Sequence, residues 1–205
     1  MTIRLHRGDL PDLSAYKGAV AIGTEAMGLD PQRDRLCVVQ LSPGDGSADV
    51  VQIAAGKRKA PNIERLLADK AILKIFHFAR FDMGMLAKAF GVMAAPVYCT
   101  KIASRLARTY TDKHGLKDLA REVLGVDLSK QQQLSDWGAD ELSDAQVSYA
   151  AADVLHLHAL KEKLDMMLAR EGRADLAAAC FRFLPDRARL DLAGWAAEDI
   201  FSHSA

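Results

Sequence analysis

Three apolar runs of strand length lie close together near the start of the chain, at Ala19 to Ile22, Leu36 to Leu41 and Ala48 to Ile53. The first is a compact apolar run that should be buried, and the second is apolar and β-branched. The link between the second and third is Pro43-Gly44-Asp45-Gly46, a turn by composition. Strands with connections this short suggest an antiparallel meander. Thr2 to Leu5 reads as a short edge strand before it, and Asp9 to Tyr16 as a helical turn. Further on, Ile63 to Lys70 has helical spacing, Ile72 to His77 is a fourth buried strand, and Phe78 to Phe90 is a helix. Pro96 to Cys99 adds a last short strand. Beyond it the pattern is helical, over Lys101 to Thr109, His114 to Leu124, Ser143 to Glu171 and Ala174 to about Phe201, with Gly115, Gly125 and Gly172 at boundaries. The expected class is α/β (α+β): a mixed sheet of five to six strands flanked by helices, with a helical C-terminal part. No repeat, low-complexity tract or linker divides it, so residues 1–205 are expected to form one domain.

Charge narrows the function classes. The 27 Lys and Arg balance 27 Asp and Glu, so no global basic field is available for a long duplex, whose binding scales with phosphates neutralised. Cys37, Cys99 and Cys180 lie far apart among apolar neighbours and form no CxxC pair, which argues against a zinc or redox site and for reduced thiols. The N-terminus runs straight into charge without an apolar signal segment, and no stretch approaches the ~20 apolar residues of a membrane helix. A cytoplasmic protein without a membrane partner is expected. Lys57-Arg58-Lys59 reads as a solvated basic tip.

Three acidic stretches carry the chemistry. Glu25 follows the first buried strand. Asp82 lies early in the helix after the fourth strand, where a carboxylate also suits the helix dipole. Tyr149 and Asp153 stand four residues apart and share a helix face. Singly, each has an ordinary explanation as surface, helix end or exposed ion pair. A phenol one turn from a carboxylate is also a pair that can hold a water against a metal.

In order, these stretches resemble the DEDD superfamily of 3′-to-5′ exonucleases, in its tyrosine-bearing branch. The resemblance is to ribonuclease D-like members and rests on Thr24-Glu25-x-x-Gly28-Leu29, on Phe81-Asp82 with Leu86, and on Leu142-Ser143-x-x-Gln146-x-x-Tyr149-Ala150-Ala151-x-Asp153-Val154. Gly115-Leu116-x-x-Leu119, Leu124-Gly125-Val126 and Ser135-Asp136-Trp137 extend it. Ribonuclease D proper carries further helical domains after the catalytic one, and the shorter chain here is similar to the nano-RNase C group. The resemblance implies a ribonuclease H-like fold and two divalent cations, Mg²⁺ or Mn²⁺, held by carboxylates. Glu25, Asp82 and Asp153 would be the ligands, and Tyr149 would orient the attacking water. The family pattern at the first strand is Asp-x-Glu, whereas this chain has Gly23-Thr24-Glu25. A ligand is therefore missing at Gly23, and this copy is expected to be inactive or very slow through an introduced or recent change. The implied substrate is short RNA, especially dinucleotides. A less length-selective RNA or DNA exonuclease and an inactive RNA-binding relative remain as alternatives.

Lys101, Arg105 and Arg108 fall at i, i+4 and i+7, one helix face, and form a candidate cap for a 5′ phosphate. Thr24, Met27 and Leu29 lie beside Glu25, where the resemblance implies contact with bases, and His77 is a candidate for a sugar hydroxyl. Leu176 to Phe201 keeps enough apolar residues either to pack against the Ser143–Glu171 helix or to form a subunit interface, and the resemblance implies a homo-oligomer, possibly an octamer.

Overall fold

The computed structural model describes residues 2–129 and 131–203. Its sheet has six strands: β1 (Thr2–Arg7), β2 (Ala19–Ala26), β3 (Leu36–Ser42), β4 (Ser47–Gln52), β5 (Leu73–Phe76) and β6 (Val97–Cys99). They lie in the order β1-β4-β3-β2-β5-β6. The expected meander is present, with β2, β3 and β4 antiparallel, while β1 joins β4, β5 joins β2 and β6 joins β5 in parallel. Every residue of β3 and β4 is buried, the polar Gln40, Ser42, Ser47, Asp49 and Gln52 included.

Helices cover both faces: α1 (Pro61–Ala68), α2 (Ala79–Phe90), α3 (Thr100–Ala107), α4 (Leu116–Leu124), α5 (Asp144–Leu155), α6 (Leu157–Arg170) and α7 (Ala174–Leu190). Strand alternation splits the core in two. Val20, Ile22, Val39 and Leu41 pack with α1 and α2, whereas Ala21, Val38 and Val50 pack with α5 and α6. No helix among the described residues is long and apolar enough to cross a membrane. The three cysteines are free, with Cys37 and Cys99 buried.

Three expectations need correction. Asp9 to Tyr16 forms bends and a turn rather than a helical turn. Asp9 uses its carboxylate to accept from the backbone amides of Asn62 (2.9 Å) and Ile63 (3.1 Å), capping α1 instead of starting a helix of its own. Tyr16 is drawn to β4, where its hydroxyl donates to Asp49 at 2.6 Å beside Arg4 and His6 of β1. The segment Ser143 to Glu171 is two helices, because His156 (φ −104°, ψ −4°) leaves the helical ladder between α5 and α6. The last helix ends regularly at Leu190, followed by a widened turn at Asp191–Trp195 in which Gly194 takes φ 109°, open only to glycine without strain.

Candidate active site

β2 pairs with β5 only from Ala19↔Leu73 to Ala21↔Ile75. Past Ala21 it continues against β3 alone, and over this unpaired edge lies a cleft of about 550 Å³. Alternation aims Gly23 and Glu25 at the α5 side and Thr24 at the α2 side. Thr24 Oγ1 donates to Asp82 Oδ1 at 2.7 Å, which ties the strand to the first turn of α2. That helix starts abruptly. Phe78, its preceding residue, is held in the left-handed region (φ 73°, ψ 43°), an uncommon state for an aromatic residue that turns the chain from β5 into α2.

α5 brings the remaining groups. Ser143 caps it in a reciprocal box, its hydroxyl accepting from Gln146 N at 3.3 Å and Gln146 Oε1 accepting from Ser143 N at 3.0 Å. The same Gln146 donates through Nε2 to Asp136 O (2.9 Å) and Ser135 Oγ (3.2 Å), fixing the loop that carries Trp137. Trp137 packs tilted against Tyr149 with ring centroids 5.9 Å apart. Tyr149 and Asp153 thereby face the cleft one helical turn apart, opposite Glu25.

Three acids without a cationic partner among the described residues now share one low-dielectric space. Burial, and then the charges of Asp153 and Asp82, push Glu25 up to about 9. Burial raises Asp82 to about 8 against the opposing Thr24 hydrogen bond, and burial raises Asp153 to about 7. The Tyr149 phenol is raised by burial and by Asp153 and Glu25. Such a set suits a hard divalent cation: the donors are oxygens, the surplus charge is negative, and the buried Gln40 Oε1 at the cleft has no hydrogen-bond partner among the described residues. The donors are not closed around one point, since among the described residues no three His, Cys, Asp or Glu side chains are gathered to hold an ion. The residues fit the cation in donor type and charge.

A stability consequence follows from these shifts. Glu25, Asp82 and Asp153 keep protons in the folded chain that the unfolded chain releases near pH 4, so unfolding loses protons and stability falls as pH rises from about 4 to about 9. Mg²⁺ offsets the repulsion only where the carboxylates are ionised. Thermal melts with Mg²⁺ against EDTA are expected to show a larger rise in Tm at pH 8 than at pH 5; equal shifts would refute the account.

Of the anticipated substrate contacts, Thr24, Met27, Leu29, His77 and Lys101 line the cleft. Leu29 is 87% exposed and Met27 54%, so neither is spent on the core. His77 hydrogen-bonds Thr100 Oγ1 through Nδ1 at 2.9 Å, and burial with the nearby Lys101 lowers it to about 3, so it works as a neutral ring. The proposed cap does not form from Lys101, Arg105 and Arg108. α3 ends at Ala107, and Arg108 (φ −113°, ψ 64°) is its C-cap, off the helical face that the spacing assumed. Arg108 is fully buried, donating to Ser104 Oγ (2.8 Å), to Lys113 O (3.0 Å) and to the Glu122 carboxylate. Arg105 is exposed and lies outside the cleft lining. Arg108→Ala should therefore cost about 3 kcal/mol of stability by orphaning these partners, with RNA affinity of the folded protein unchanged. Chemical denaturation and a binding titration read the two separately.

Two cleft residues, Phe78 and Gln40, had no sequence signal, whereas Lys117 belongs to the run of basic residues between Lys101 and Arg121. Phe78 stacks on Phe81 (centroids 6.4 Å, planes 4° apart) and carries the Lys101 ammonium 4.4 Å above its ring. Lys117 reaches the cleft from the first turn of α4, and Gln40 reaches it from β3.

Comparison with known proteins agrees with this geometry. A family model described as 3′-5′ exonuclease matches residues 10–169. Ribonuclease D of Gluconacetobacter diazotrophicus is 37% identical over 169 residues, covering 82% of this chain and 42% of that protein. This chain thus spans less than half the length of that relative. Two structures of Brucella melitensis NrnC match over all of both chains: one with bound Mg²⁺ (TM-score 0.96, 61% identity) and one bound to pGG (TM-score 0.97, 62% identity). Sequence, fold and the acidic cleft place the chain in the tyrosine-bearing, ribonuclease D-like branch of the DEDD 3′-5′ exonucleases.

Proposed function

We propose that this chain takes the 3′ end of short RNA, dinucleotides above all, into the cleft at Glu25, Asp82, Tyr149 and Asp153, and that Gly23 leaves its hydrolysis very slow. The observation that carries the reading is the convergence of these four side chains from β2, α2 and α5 on one cleft, with Gly23 on the same strand face as Glu25. The size of that cleft and the pGG-bound NrnC relative support a dinucleotide substrate.

Exonucleases of this family use divalent metals, and when bound such ions lower the pKa of water and stabilise the leaving oxygen. Here Glu25, Asp82 and Asp153 would hold them as Mg²⁺ or Mn²⁺. Thr24 keeps one Asp82 oxygen occupied and so fixes which oxygen is left for coordination. The Tyr149 hydroxyl, kept protonated by burial and then by the neighbouring Asp153 and Glu25, is free to orient a water by donating or accepting. Lys101 and Lys117 supply positive charge for a phosphate, while Phe78 and Leu29 offer apolar surface to the bases. Exposed Trp195, Ile200 and Phe201 beyond α7 support a further part of the reading, assembly into a homo-oligomer such as an octamer.

The test compares this chain with Gly23→Asp on 5′-labelled RNAs of two and seven nucleotides, each with Mg²⁺ and with Mn²⁺. Fast cleavage of the dinucleotide by the variant alone is expected. Equal rates on both lengths would withdraw the dinucleotide preference. Binding of RNA without cleavage by either protein would leave an RNA-binding relative in place of an enzyme.

A further inference from the structure

Gly23 and Gln40 are cross-strand partners in the β2–β3 ladder, and their side-chain positions share the cleft face. A Cβ built on Gly23 would stand 2.8 Å from Gln40 Nε2 and 3.2 Å from Gln40 Cδ. The amide of Gln40 therefore fills the volume that a side chain at position 23 would enter. It is 1% exposed, it lines the cleft, and its Oε1 has no partner. A buried amide oxygen left alone forfeits its hydration without compensation, so its persistence calls for a partner.

We propose that Gln40 takes over the place of the missing acid, presenting its amide oxygen as a neutral ligand to a divalent cation held with Glu25. The inference rests on the metal-dependent reading of the cleft given above. The amide has two ends of nearly equal shape, and half a turn about its last torsion exchanges them. With no cation, the N–H end points toward the open position at Gly23 and Oε1 stays unpaired. With a cation held by Glu25, the oxygen end is the favoured one, and the orphan atom gains its partner. Amide oxygens are accepted ligands for hard cations, though they bring no charge. The substitution at position 23 thus changes the ligand's charge and strand without emptying the space.

Mn²⁺ binding, read by calorimetry and by the loss of the free-ion EPR signal, tests this without any turnover. The proteins are this chain, Gln40→Ala, Gln40→Glu, Gly23→Asp and Gly23→Asp/Gln40→Ala. Gln40→Ala is expected to weaken Mn²⁺ by about tenfold or more, and Gln40→Glu to tighten it by a similar factor. In the Gly23→Asp background Gln40→Ala should cost nothing, because the displaced amide no longer serves as a ligand; this reversal separates ligation from mere packing. Should Gln40→Ala not fold, as judged by circular dichroism, Gln40→Glu alone decides. Unchanged Mn²⁺ affinity in the Gln40 variants, with tight binding by Gly23→Asp, would overturn the inference and leave the metal site standing. Failure of Gly23→Asp to bind Mn²⁺ would overturn both.

Discussion

Gly23→Asp is expected to raise the rate of 3′-end hydrolysis by on the order of 10⁴-fold, the size of loss seen when one member of a catalytic unit is removed. The position faces the cleft beside Glu25, so an acid there joins the other three without moving the backbone. The obstacle is local: the new Cβ falls 2.8 Å from the end of Gln40, which must rotate aside. Only a flexible side chain stands in the way, so the strain is small beside the gain in metal affinity. The same change adds a fourth buried carboxylate to three that already repel. Metal-free Gly23→Asp should thus melt below the parent chain and recover with Mg²⁺. Single-turnover cleavage of a labelled dinucleotide measures the gain, and a gain under tenfold would mean that the lesion lies elsewhere.

Asp153→Asn placed on top of Gly23→Asp is expected to abolish that gain, again by on the order of 10³-fold or more, while raising the melting temperature of the metal-free protein. Asp153 accepts no hydrogen bond among the described contacts and is raised to about 7 by burial alone. The sign is fixed by proton linkage. From about pH 4 to about 7 the folded chain holds a proton that the unfolded chain has lost, so the penalty for Asp153 grows across that window and is complete above it. Asparagine never ionises and escapes the penalty. Its stabilising effect should therefore be large at pH 8 and slight near pH 4. A variant that loses activity and stability together would show that Asp153 is held by contacts rather than opposed by burial.

Much of this architecture was legible in the residues. The buried strands announced themselves by continuous Val, Leu and Ile runs, and their short links dictated antiparallel pairing. Glu25, Asp82, Tyr149 and Asp153 were legible because the spacing and order of their motifs survive. What the sequence hid depends on events between strands or at single torsions. Gln40 lies fifteen residues beyond Glu25 and meets Gly23 only through the β2–β3 register, which pattern reading does not specify to one residue. Phe78 reaches the cleft through one left-handed torsion that its side chain gives no hint of. Arg108 failed for the opposite reason. Helical spacing put it with Lys101, but α3 stops one residue short, and the arginine turns inward to satisfy Ser104 and the Lys113 carbonyl.

The crowding of like charge in the cleft also has an evolutionary direction. Each acid lost there relieves repulsion, so the mutations that silence such an enzyme tend to make its fold more durable. Selection for stability alone does not oppose them. A lineage that no longer needs the reaction can slide toward a silent, sturdy protein one carboxylate at a time. Return is harder, because every restored acid must be tolerated by the fold before it is useful.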